Sequence, residues 1–133
     1  MKHVRITFYV GLARKGDPSL LDRDTVDARA GAVARFFGRQ YASGTFTRAD
    51  GYWLGTAEPS CSFTVVRPSA GLDVERAAAV EVAGYLARLH RQDAIGVEVS
   101  EVAFDLATAE HAPRVEGGRY ARELDAEEAA GRG

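Results

Sequence analysis

The side chains able to do chemistry in this chain are few and widely spaced. Tyr9 ends an alternating stretch, Trp53 and Glu58 flank a short turn, Thr64 lies further along the same run, and Arg119 and Arg122 stand near the carboxyl end. An aromatic ring among polar groups suits stacking on a base, and a guanidinium fork suits phosphate oxygens. A carboxylate such as Glu58 accepts hydrogen bonds from ribose hydroxyls or a base edge. Together these residue types describe a receptor for a small nucleotide-like ligand.

Signatures of catalysis are missing from the same sequence. His3, His90 and His111 match no zinc spacing and read as solvated residues. No GxSxG elbow singles out a serine, and neither a GxxxxGK[ST] loop nor a GxGxxG turn occurs. Cys61 is the only cysteine, which excludes an internal disulfide and a thiolate metal cluster and makes it a small buried apolar residue. The expectation is a protein that is not an enzyme and uses no metal or cofactor.

The elements that must position these residues follow from periodicity. Residues 4–10, VRITFYV, alternate, with Val4, Ile6, Phe8 and Val10 on one face and Arg5, Thr7 and Tyr9 on the other. GLARKGDPS at 11–19 is a loop, basic at Arg14 and Lys15. From about Asp24 to Gln40, Val26, Ala30, Val33, Ala34, Phe37 and Tyr41 recur at helical spacing, with Asp24 or Thr25 as the cap. Two extended runs, 45–54 and 57–66, are joined at Gly55-Thr56, and Asp73 caps a second helix to about Arg91. Its inner stripe reads Val74, Ala78, Val82, Tyr85, Leu86 and Leu89, and IGVEV at 95–99 is the last strand.

This succession predicts an α+β fold of the ferredoxin-like βαββαβ kind: a four-stranded antiparallel sheet with two helices on one face, followed by a C-terminal arm. Residues 1–104 form the domain. Residues 105–133 form the polar arm, partly disordered or carrying a short acidic helix at about 119–130. A two-residue turn at Gly55-Thr56 sets Trp53 across from Glu58. Since Cys61, Phe63 and Val65 must face the core, Glu58, Ser60, Ser62 and Thr64 share the open face with Trp53, Tyr9, Glu98 and Ser100. Asp50-Gly51 as a bulge would slip the register by one and carry Trp53 into the core instead.

The chain has 133 residues, 46% of them hydrophobic and 27% charged, which suits one domain with a modest core. A net charge of -2 supplies no basic field for a phosphate backbone, so nucleic acid is an unfavoured partner. An RNA-recognition module shares the topology but needs aromatics where Ser62 and Thr64 stand. No apolar run approaches the roughly 18 residues of a membrane span, and the expected setting is cytoplasmic.

The succession ITFYVGL at 6–12, GYWLGTAEPSCSFTVV at 51–66 and LHRQDAIGVEV at 89–99 resembles short proteins encoded by phages and their actinobacterial hosts. The likeness rests on Gly11, Gly51, Trp53, Glu58 to Ser60 and the Gln92-Asp93 pair. It is similar to the Thoeris anti-defence sort, which implies a homo-oligomer that sequesters a nucleotide-derived signal, of the cyclic ADP-ribose or cyclic-nucleotide kind, at a subunit interface. In that reading Tyr9 or Trp53 stacks on the base, Glu58 takes a ribose hydroxyl, Arg119 and Arg122 hold phosphate from the folded-back tail, and Thr64 completes the ligand-binding set. Pairing of Arg119 with Glu123 along a helix is the competing role. A small ferredoxin-like dimeric enzyme and a module that blocks a host protein are the rival expectations.

Overall fold

A computed structural model describes residues 2–53, 55–112 and 118–131, with the side chains of Trp53 and of residues 118–121 outside that description. The elements run β1 (His3–Gly11), α1 (Arg23–Gln40), β2 (Thr45–Trp53), β3 (Thr56–Pro68), α2 (Leu72–His90), β4 (Gly96–Val102), a 3-10 turn (Ala109–His111) and α3 (Gly118–Gly131). The sheet order is β2-β3-β1-β4, and every neighbouring pair is antiparallel. The α+β expectation holds. Strand β3 separates β1 from β2, and β1 separates β3 from β4.

Alternation in the strands decides which face is buried. Val4, Ile6, Phe8 and Val10 of β1 join Cys61, Phe63 and Val65 of β3 in one core with Val26, Ala30, Val33 and Phe37 of α1 and Ala79, Ala83 and Leu86 of α2. The Phe37 and Phe63 rings stack at 4.6 Å and 4°, with Phe8 4.8 Å from Phe37. Both helices therefore cover the same face of the sheet. At roughly 1.5–3 kcal/mol for each large apolar side chain, this burial is the main stabilising term.

Details depart from expectation where polar groups find partners. The α1 cap is Asp22, not Asp24 or Thr25; its carboxylate accepts from the Thr25 amide at 2.8 Å. The α2 cap is Gly71, not Asp73, with φ 120 and no side-chain bond. Helix α2 is also turned by about one position. It buries Glu75, Ala79, Ala83, Leu86 and His90 and leaves Val74, Tyr85 and Leu89 more than half exposed. The two alanines let the helix approach closely, and the polar ends are satisfied: Glu75 accepts from the Ala70 amide at 3.2 Å, and His90 bonds to Arg14. His90 is thus buried, contrary to the expectation of a solvated ring.

Candidate functional site

The helix-free face carries the site at one end, where the last residues of β1 and β2 meet the first residues of β3 and β4. A cleft of about 910 Å³ opens there, and Tyr9, Gly11, Gly51, Glu58, Ser60, Gln92 and Gly96 are among its walls. Three glycines make its floor. A Cβ at Gly11 would stand 2.8 Å from Glu58 Oε1 and 3.3 Å from Gln92 Oε1. At Gly51 it would meet Ser60 Oγ at 3.1 Å, and at Gly96 the Tyr9 Cβ at 3.3 Å. Missing side chains let the carboxylate, amide, hydroxyl and phenol ring lie directly over the sheet.

The hairpin register differs from expectation by two residues. Trp53 pairs with Thr56 and Gly51 with Glu58, so Trp53 does not face Glu58. An even shift preserves the faces, because side chains alternate with period two. Glu58 and Ser60 stay on the open face, in the same row as Thr56, and no bulge interrupts the backbone pairing from Thr45 to Trp53. How the Trp53 ring lies is outside the described side chains.

Of the expected site residues the structure brings together Tyr9, half exposed, and Glu58. Thr64 is not at the cleft: it stands opposite Thr7, and their hydroxyls bond at 3.0 Å in mid-sheet. Arg122 lies exposed on α3, whose described residues contribute nothing to the cleft wall. The Arg119 side chain is outside the described set. Gln92, Ser60 and Arg14 were absent from the expected ligand set, although the Gln92-Asp93 pair and the basic loop were visible in the sequence.

The loop after β1 is held on every side. The Leu12 amide donates to Pro59 O at 2.9 Å, and Gln92 Nε2 donates to Ala13 O at 2.6 Å. Arg29 of α1 donates to Leu12 O at 2.9 Å and forks onto Asp17 at 2.6 and 3.0 Å. That fork, helped by the Arg14 amide, holds the Asp17 carboxyl down at about 2. Arg14 bonds through Nη2 to His90 Nδ1 at 3.1 Å. The cleft wall is thereby fixed before any ligand arrives. Among the described residues no cation pairs with Glu58, and no cluster of His, Cys, Asp and Glu could hold a metal ion.

No protein-family model and no curated protein matches the chain. Comparison with solved structures finds a phage SAM lyase in complex with S-methyl-5′-thioadenosine. The chain is similar to it in fold. The TM-score is 0.51 at 16% identity, over 74% of this chain and 81% of that one. The same description in an apo state matches at 19% identity with a TM-score of 0.48, over 75% and 81%. The first likeness corrects the expectation of a protein without chemistry that only sequesters its ligand: the fold is one that a lyase uses. Lack of a known catalytic motif therefore does not count against an enzyme. Among the described residues no helix is long and apolar enough to cross a membrane.

Proposed function

We propose that the protein is a lyase acting on an adenosyl sulfonium compound, S-adenosylmethionine being the leading substrate. The observation that carries this reading is the glycine-floored cleft, with Glu58 and Gln92 converging over Gly11 and Tyr9 beside it. Support comes from the similar fold, which in the phage lyase holds S-methyl-5′-thioadenosine.

The chemistry asks little of the protein. When a carbon–sulfur bond of the sulfonium breaks, the bond pair leaves on sulfur as a neutral thioether, and the substrate's own carboxylate oxygen closes onto the carbon it leaves to give a lactone, so both charges disappear and no co-reactant is consumed. A carboxylate pressed against the sulfur would stabilise the charged substrate more than the transition state. Glu58 thus serves better as acceptor for hydroxyl or ammonium hydrogens, fixing the orientation of the reacting chain. Tyr9 supplies a ring face for adenine, and Gln92, held through its Nε2 by Ala13 O, presents Oε1 to the ligand. Rate enhancement then comes from a fixed conformation in a fixed wall.

Incubation of the purified protein with S-adenosylmethionine, followed by chromatography and mass spectrometry, tests the reading. S-methyl-5′-thioadenosine should accumulate, and Glu58→Gln should lower kcat/KM by about a hundredfold or more. No release above the spontaneous rate, from folded protein at high concentration, refutes it.

A further inference from the structure

The charges around the cleft are segregated. Arg14, Lys15 and Arg91 line it from the β1–α1 loop and the end of α2, whereas Asp50 and Glu58 line it from the β2–β3 hairpin. Asp93, two residues past Arg91, also lines it on the cationic side. The neighbouring Arg29 is already neutralised by Asp17, so that carboxylate is engaged by Arg29 rather than by the Arg14 side chain.

Arg14 is built in rather than free. One of its five N–H groups goes to His90 Nδ1. Its Nε is out of solvent without an acceptor among the described residues, as is Nε2 of His90. Buried donors without acceptors cost about 1–3 kcal/mol each, so such an arrangement calls for an explanation. Arg91 adds a second irregularity: it ends α2 in the left-handed region, φ 57 and ψ 44, where glycine is usual, and it is the one non-glycine residue with positive φ among those described.

We infer that Arg14, positioned from behind by His90 and flanked by Lys15 and Arg91, is the receptor for a carboxylate on the ligand, so that the cleft selects a zwitterion whose donor-bearing part lies toward Glu58. The inference rests on the lyase reading only for the identity of the rest of the ligand. His90 does its part as the neutral ring, since burial, with the Arg14 and Arg29 cations, lowers its pKa to about 4 and leaves the Nδ1 lone pair for Arg14. It is a positioning residue: it holds the receptor and does not touch the ligand.

Calorimetric binding of S-adenosylhomocysteine, which carries the amino-acid carboxylate, and of S-methyl-5′-thioadenosine, which lacks it, tests the assignment. Arg14→Gln should weaken the first by ten- to a hundredfold and change the second by less than threefold, as loss of one charge-assisted contact implies. His90→Leu should reproduce the selective loss, and His90→Asn, which restores an acceptor near Nδ1, should recover most of it. An equal effect on both ligands, or none on the first, overturns the assignment. If the wild type binds neither ligand, the lyase reading fails by itself and inorganic phosphate becomes the probe. Thermal stabilisation by phosphate that Arg14→Gln abolishes upholds an anion site there, and its absence removes the site.

Discussion

Replacing Gly11 by alanine separates site geometry from stability. The added Cβ would lie 2.8 Å from Glu58 Oε1 and 3.3 Å from Gln92 Oε1, both at the ends of side chains. Carbon and oxygen settle no closer than about 3.3 Å, so Glu58 must swing by roughly half an ångström or more, and one off-rotamer torsion costs about 0.5–1.5 kcal/mol. The φ of Gly11 is not positive, so alanine brings no backbone penalty. Folding stability should thus fall by no more than about 1.5 kcal/mol. Activity is a different matter, because a displacement of about 1 Å in a positioned group can cost a hundredfold. Glu58 moves by about half that distance, so urea denaturation alongside S-methyl-5′-thioadenosine release should show stability lowered by no more than about 1.5 kcal/mol with kcat/KM reduced about tenfold or more. Full activity in Gly11→Ala, or a loss of activity no larger than the loss of folded protein, would refute the role given to the glycine floor.

Gly44→Ala should behave oppositely, since its Cβ would enter the space of the Phe63 ring, itself stacked on Phe37; a loss of about 1–3 kcal/mol by urea denaturation is expected, and unchanged stability would show that the ring has room to move. His90 makes stability depend on pH. Its pKa is lowered from 6.5 to about 4 by burial and by the Arg14 and Arg29 cations, so between those values the unfolded chain binds the extra proton and stability falls as pH falls, by up to about 3 kcal/mol. Above pH 6.5 this contribution is fully present. Comparing wild type with His90→Asn at pH 7.5 and 4.5 isolates it, and identical pH dependence in the two would dismiss it. The Cys61 thiol is buried and pushed up to about 11 by that burial, so iodoacetamide at pH 8 should alkylate the native protein at least a hundredfold more slowly than the unfolded chain; equal rates would contradict the packing.

Much of the architecture was legible because strand alternation is a strict period. Val4, Ile6, Phe8 and Val10 could only share one face, and Cys61, Phe63 and Val65 had to join them, which put Glu58 on the other. That conclusion withstood a hairpin register two residues away from the expected one. Helix α2 was harder. Counting apolar residues selected Val74, Tyr85 and Leu89, whereas the buried stripe includes Glu75 and His90, whose acceptability depends on Ala70 and Arg14, far from them or hidden in loop geometry. Thr64 misled for a related reason: it lies on the predicted face but at the wrong height along the sheet, against Thr7.

What the sequence determined alone is the set of elements, the face each strand buries and the face left open, since these follow from side-chain periods of 2 and 3.6 within single segments. What tertiary structure decided is the site. Gly11, Glu58, Gln92 and Arg14 come from a strand end, a hairpin arm and two loops, and their meeting depends on sheet order, on the register of three strand pairs and on a loop clamped by Arg29, Gln92 and His90. Contacts between residues some 80 positions apart leave no periodic trace in the chain, because they are set by the packing of whole elements rather than by the conformation of any one.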